Sequence, residues 1–548
     1  MFSKFFFRRN QFAFAGPVHR LTKAEKWRMA GAMYGGKIAG LAIVLAGMHF
    51  LPGMLSGTAV HAQTTDSLMK ALTDTKKTLA DTTTTLQNTA NTIWTLVAAF
   101  LVFGMQPGFV LLEAGFARTR ETVNILMECI FDTCLCGILF WAFGYAFMFS
   151  HGNGFIGYHW FFLSGSDPNG DGTFGLGSGT YLTTGVPIIA HWIFQFAFAD
   201  TCSTVTSGAM IGRTGFRGDI LYSIGVTGFI YPIIGHWAWG PDGFLATMGA
   251  KGFFLPNLGQ GFRDFAGSTV VHTIGGMVSL AGAIVLGPRL GRVFKRDGGG
   301  PMPPHNLTIA AVGGFILWFG WYGFNPGSTL SAVDMQGIGR VATNTTLAAC
   351  GGGMSAMLMG LWTGPTKGKF DTGLTTNGFL AGLVAITCPC YWVDPAGAIG
   401  LGFVAGIVVV LGVYLLEYLR IDDPIGAVPV HGFAGMWGTW SLGLFAAGKY
   451  GATGATGADN SAPVKGLFYG GDLSVLKAQM IGNLTITIAT FLVALIMMWL
   501  IKQLPHPWSL RVEPKGEKIG LDIFEHGSEA YPSTDDVMAE LGLEKAPA

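Results

Sequence analysis

Charge is what this 548-residue chain has least of. Lys, Arg, Asp and Glu make up 12% of it, 33 basic against 32 acidic residues, where a soluble globular protein carries roughly 25%. So sparse a polar surface excludes a soluble enzyme of this size, and a formal net charge of +1 supplies no basic field for nucleic acid. Cysteine is scarce as well. The seven, at 129, 134, 136, 202, 350, 388 and 390, lie in or beside apolar stretches, so disulfides are not the framework. The doublets Cys134/Cys136 and Cys388/Cys390 have no His or Asp array at zinc-site spacing and read as small buried hydrophobes. Glycine is in excess, with 83 residues, and the mean hydropathy is +0.45. With 24 prolines and 13% aromatics the chain is neither disordered nor collagenous. It reads as a polytopic membrane protein with closely packed, glycine-rich helices.

A membrane-crossing helix needs about 20 mainly apolar residues. Five stretches contain no Asp, Glu, Lys or Arg: 220–241, 265–288, 341–366, 424–448 and 478–501. Six others are long enough: 93–114, 125–150, 187–211, 306–326, 377–393 and 396–419. The expected fold is all-α, with eleven transmembrane helices. Alternate loops carry Arg118 and Arg120; Arg213 and Arg217; Arg289, Arg292, Lys295 and Arg296; Lys367 and Lys369; and Arg420, while the opposite set is poorer and loop 151–186 has no Lys or Arg. The positive-inside rule then puts the N-terminus outside and the C-terminus in the cytoplasm of a multi-pass protein of the cell membrane.

Residues 1–62 read as a signal peptide, with a basic start, an apolar run 38–51 and the cleavage-like Ala59-Val60-His61-Ala62; the alternative is an uncleaved twelfth span. Residues 63–92 form a polar extracytoplasmic helix or stalk in which Leu72, Leu79 and Leu86 keep heptad spacing with Ile93. That seam is either a solvated face or an oligomer contact. The membrane domain covers 93–501 and a cytoplasmic tail 502–548.

One duplication carries most of the functional reading. DFAGSTVVHTIGGM begins at Asp264 and reaches His272; DPIGAVPVHGFAGM begins at Asp423 and reaches His431. The shared pattern, D-x-x-G-x-x-x-V-H-x-x-x-G-M, starts on the outer face in one copy and the inner face in the other. This inverted pseudo-repeat, five helices to each half, places equivalent residues about an axis in the membrane plane, where transporters keep their substrate sites. Buried ionisable residues in a membrane are costly and usually functional. Two facing imidazoles can ligate a metal, but no third or fourth ligand occurs at matching positions. Sharing a proton, or offering a donor and an acceptor to a small polar or weakly basic molecule, fits them better.

With these residues in view the chain resembles the ammonium transporter family (Amt/Mep/Rh), in its Amt branch. The resemblance covers about 94–531 and rests on FGMQPGFVLLEAGFAR (103–118), FQFAFA (194–199), DFAGSTVVH (264–272), WFGWYGFNPGS (318–328), NGFLAGLVAITC (377–388), DDPIGAVPVHG (422–432), GLFYGG (466–471) and GLDIFEHG (520–527). It implies a homotrimer of eleven-helix protomers that conduct independently. It also implies recruitment of NH4+ at Phe198, Trp239 and Ser328, a gate of Phe198 and Phe324, and proton relay by His272 and His431. A cation on aromatic faces is attracted by the ring quadrupole; the other reading of Trp239 is a membrane-interface aromatic. Asp264 takes part in deprotonation or only caps its helix and orders the loop, with Asp423 as its counterpart in the repeat. The tail segment 520–531 resembles one that couples protomers and responds to PII-type regulators. No cofactor is implied, and no nucleophile and base stand at a cleft-like spacing that would suggest an enzyme. The competing functions are an ammonium sensor and an Rh-like channel for neutral gas.

Some features depart from that pattern. GAMIGRTG (208–215) lacks an acidic residue before Arg213. Glu113, Glu128, Asp132 and Asp200 lie within or at the ends of spans without a partner named by sequence. Asp167, Asn169, Asp171 and Gly172 in loop 166–178 echo a calcium loop, but Ser178 stands where the bidentate Glu belongs, which favours an ordinary turn-rich loop.

Overall fold

The computed structural model describes residues 58–531 apart from 168–171, 175–180, 182–183, 249–257, 259–260, 364–367 and 452–462. The signal peptide assigned to 1–62 lies outside them except for its last five residues. Asn169, Asp171 and Ser178 of the calcium-like loop, and the end of the tail at 532–548, lie outside them too.

Among the described residues the protein is helical. In chain order come α1 (Thr58–Phe103), α2 (Met105–Phe116), α3 (Thr122–Leu139), α4 (Tyr145–Phe149), α5 (Ile188–Gly208), α6 (Phe216–Gly225), α7 (Tyr231–Trp239) and α8 (Ile274–Leu286). Then follow α9 (Leu307–Phe324), α10 (Met335–Thr363), α11 (Thr372–Ile386), α12 (Pro395–Leu419), α13 (Ala434–Phe445), α14 (Leu473–Lys502) and the short α15 (Pro514–Ile519). Two small antiparallel hairpins, Gly152–Asn153 with Ile156–Gly157 and Gly165–Asp167 with Gly172–Phe174, interrupt loop 151–186. The chain divides into two units at Thr84. In the first, residues 64–84 are all exposed, Leu72 and Leu79 of the heptad seam included; the second is the helical body.

Each of the eleven apolar stretches overlaps a helical segment, although 377–393 runs past the end of α11 at Ile386. Among the described residues seven helical runs are long and apolar enough to cross a membrane, Phe216–Trp239, Ser268–Leu286 and Leu473–Lys502 among them. The others are shorter or carry polar residues inward: α11 has 15 residues, and α5 buries Gln195, Asp200, Ser203 and Ser207. Helix starts are set by local chemistry. Asn306, Asp371, Asp394 and Asp472 each accept a backbone N–H of the first turn of α9, α11, α12 and α14, which satisfies donors that a helix cannot pair itself.

Glycine permits the central crossing. A Cβ on Gly276 would lie 2.2 Å from the backbone nitrogen of Gly432, and one on Gly435 would lie 2.5 Å from the carbonyl oxygen of Ser268. The segments carrying His272 and His431 therefore meet backbone to backbone.

On the face that carries the Arg-rich loops, Arg289 binds Asp422 through Nε and Nη2 at 2.8 and 2.9 Å. Burial alone would raise the Asp422 carboxyl, but Arg289 holds it well below the usual carboxylate range. Arg213, fully buried, donates to the carbonyls of Ile211, Gly287 and Asp422. The acidic neighbour missing from its loop is thus replaced by main-chain acceptors. The tail docks at the start of α3: Asp522 accepts from the Asn124 backbone at 2.9 Å, and His526 lies 2.9 Å from Asn124 Oδ1.

Gly276→Ala should lower the thermal midpoint of the detergent-solubilised protein by an amount equivalent to about 1–3 kcal/mol of overpacking. Gly300→Ala, where a Cβ meets nothing within 4 Å, should leave it unchanged; equal midpoints for the two would contradict the close crossing.

Candidate functional site

Both copies of the duplicated motif build the same local device. Gly267 and Gly426 take positive φ, 114° and 80°, a conformation glycine adopts without steric cost. The Asp264 carboxylate accepts backbone N–H bonds from Gly267, Thr269 and Val270 at 3.1, 2.9 and 2.8 Å. Asp423 accepts from Gly426, Ala427 and Val428 at 2.9, 3.1 and 2.9 Å. Each histidine then sits in a π-helical turn, Ser268–Thr273 or Val428–Phe433. Such turns insert one residue into the helical register and recur at functional sites.

The two turns bring the histidines together. Nδ1 of His272 lies 3.1 Å from Nδ1 of His431, with ring centroids 5.2 Å apart. His272 is fully buried and His431 is 6% exposed. Two neutral imidazoles in this contact must be opposite tautomers, one donating from Nδ1 and the other accepting. Nε2 of His272 has no hydrogen-bond partner among the described residues. Trp321 and Phe324 stack on the His272 ring at 5.2 and 5.4 Å, which fixes its plane.

Rings continue from there to a small cavity. Phe324 stacks on Phe198 with centroids 4.0 Å apart, and Phe198 meets Trp239 edge-on at 6.1 Å. Phe198, Trp239, Ser328 and Asp264 all line a cavity of about 40 Å³, room for a molecule the size of water. The Trp239 indole N–H donates to the carbonyl of Asp264 at 2.7 Å, and the Ser328 hydroxyl donates to the carbonyl of Phe324 at 2.8 Å. A second cavity of about 240 Å³ is lined by Asp423, Gly426 and Pro429 of the other motif copy, together with Arg289, Asp422 and Glu417. Each cavity thus borders the carboxylate of one copy.

The fold therefore brings every residue assigned from the sequence to one of these neighbourhoods: Phe198, Trp239 and Ser328 at the small cavity, Phe324 between it and His272, and His431 beyond. It adds residues that sequence reading missed. His191 and Tyr181 also line the small cavity; their rings stack at 3.7 Å, and His191 is held by Tyr145 and Gln195 at 2.8 and 3.2 Å. His191 lies four positions before Gln195 and seven before Phe198, a one-face helical spacing that was available as a signal. Trp321 is likewise three residues from Phe324. Among the described residues no group of three or more His, Cys, Asp and Glu is arranged to hold a metal ion.

The chain matches the Ammonium Transporter Family over residues 93–531. It is 40% identical over 453 residues to ammonium transporter Amt2 of Archaeoglobus fulgidus, covering 82% of this chain and 90% of that one. It is 34% identical to ammonium transporter 1 member 3 of Solanum lycopersicum, covering 81% and 94%. Among solved structures it is similar to a sensor Amt protein, with a TM-score of 0.67, 33% identity and coverage of 81% and 99%. Mep2 of Saccharomyces cerevisiae is similar too, with a TM-score of 0.65, 28% identity and coverage of 78% and 88%. The chain is a multi-pass helical membrane protein that belongs to the ammonium transporter family.

Proposed function

We propose that the protein recruits NH4+ at Phe198, Trp239 and Ser328, deprotonates it near the Phe198/Phe324 stack and conducts NH3 through an apolar path, while His272 and His431 relay the proton. The observation that carries this reading is the unbroken run of ring contacts from the small cavity through Phe198, Phe324 and His272 to His431. A bare ion would lose its hydration in such a run, at a large cost, whereas neutral NH3 loses far less. The cation is favoured only at the entrance, where Trp239 and Phe198 present π faces. The lost proton goes to the imidazole pair and the neutral molecule follows the rings, so one positive charge moves for each ammonium transported. Asp264 supports this step by ordering the turn that carries His272; its oxygens are already committed to three backbone N–H groups. Asp423 does the same for His431.

The same reading gives eleven crossings, an inverted pseudo-repeat and a homotrimer. It places the N-terminus outside the cell and the tail in the cytoplasm, where a PII-type regulator has access to it. A second reading, an ammonium sensor with little flux, is favoured by the similarity to the sensor Amt protein. Flux separates the two, and an Rh-like neutral-gas channel would conduct without current.

In proteoliposomes, ammonium should evoke a saturating current. His272→Ala and His431→Ala should each abolish it, and ammonium selectivity unchanged in both would end the relay reading. Trp239→Leu should raise the half-saturating ammonium concentration about tenfold or more, from a lost cation–π contribution of roughly 1.5–2 kcal/mol, with the maximal current retained. Native mass spectrometry should give three copies of the chain; a monomer or dimer as the main species would rule out the trimer.

A further inference from the structure

A separate set of ionisable groups lies in the body outside the ring column. Glu113 on α2, Glu128 and Asp132 on α3, Asp200 on α5 and Asp219 on α6 are each no more than 3% exposed. Asp132 is within electrostatic reach of the other four. Asp200 follows Phe198 by two positions, a rotation of about 200° around the helix axis, so it turns away from the ring column and towards Asp132 on α3.

Among the described residues no Lys or Arg pairs with any of the five. Their partners are neutral: Asn124 donates to Glu128 at 2.8 Å, Ser207 to Glu113 at 3.2 Å and Ser203 to Asp132 at 3.4 Å. Among the described residues Oδ1 of Asp132 and both oxygens of Asp200 and Asp219 accept no well-aligned hydrogen bond, although the Thr133 side chain lies beside Asp200. The wholly buried hydroxyls of Tyr222 and Ser223 are directed towards Asp219 and Asp132 without forming a well-aligned bond. The other titratable groups facing the cluster are Cys129 and Cys136 of α3, Tyr222 of α6, Glu121 in the turn before α3 and Glu525 of the tail. None of them is a cation. His526 reaches Asn124 rather than a carboxylate of the cluster.

Five bare carboxylates cannot all remain ionised in an apolar bundle. A bound proton removes one charge and turns an acceptor into an O–H donor, which the unbonded oxygens of Asp200 and Asp219 can use. A metal ion is the poorer occupant, since the described residues bring no three of these ligands into a metal-holding arrangement. We propose that Glu113, Glu128, Asp132, Asp200 and Asp219 form an intramembrane proton-binding site, with protons shared between carboxyls and held apart from the histidine pathway.

Infrared difference spectroscopy of the full-length protein in lipid tests this directly. At neutral pH the protein should give a protonated-carboxyl C=O band that shifts in D2O and disappears on alkaline titration. The band should lose part of its intensity in Asp200→Asn and Asp219→Asn, and also in Glu113→Gln, whose side-chain carbonyl still accepts from Ser207 if the aspartate variants do not fold. His272→Ala should leave it in place. Absence of the band in the wild type would overturn the proposal, as would a band unaltered by all three carboxyl variants. So would a thermal midpoint raised by Na+ or K+ over choline at equal ionic strength, since that result would mean a bound alkali cation.

Discussion

Two helix starts must approach each other without intervening side chains before His272 can share a hydrogen bond with His431. Gly276 and Gly432 remove the obstruction, and the surrounding polar groups tie the crossing down. Thr269 and Thr439 hydroxyls meet at 2.6 Å, and Asn483 of α14 donates to Thr269 at 2.9 Å. Ser268 donates to the carbonyl of Val384 and accepts from the backbone of Cys388, both at 2.7 Å. Backbone and side-chain polar groups within a membrane are costly to leave unpaired, and these pair with one another. The contact between two imidazoles is thus the product of four elements, α8, α11, α13 and α14, acting on one crossing.

The same requirement explains how much could be read beforehand. The duplicated D-x-x-G-x-x-x-V-H pattern marked both histidines because aspartate, glycine and histidine each have a separate physical duty at fixed spacing. The apolar stretches marked the helices because lipid leaves little freedom in composition. By contrast, the double role open to Asp264 needed coordinates, since only they place three backbone donors on its carboxylate. His191 has only its helical spacing to Gln195 and Phe198 to mark it, with no second copy of the pattern, and its stack on Tyr181 needed coordinates. The tail was harder still. Its polar sequence reads as solvated, yet Asp522 and His526 find Asn124 across nearly four hundred residues of chain.

The two motif copies are alike locally but differ in their surroundings. Asp264 borders a tight aromatic chamber, whereas Asp423 borders a wider one and follows Asp422, which is locked to Arg289. Buried ion pairs of this kind gain little net stability but penalise any arrangement that separates the partners. Here the pair anchors the loop that begins the second copy, alongside Arg213 and its three carbonyl acceptors. The Arg-rich face is consequently bound by directional contacts.

Pairing through Nδ1 on both rings has a consequence for repeated use. A proton that enters at Nε2 of His272 and leaves from Nε2 of His431 exchanges the tautomers of both rings. The next proton travelling the same way meets an N–H where it needs a lone pair, and Trp321 and Phe324 oppose a ring flip that would clear it. An ammonia molecule can restore the starting state by taking a proton from Nε2 of His272 and giving one to Nε2 of His431 as the shared proton returns. If the pair relays protons as proposed, the ammonia that follows also resets it, and a pair so arranged would stall on bare protons after a single turn.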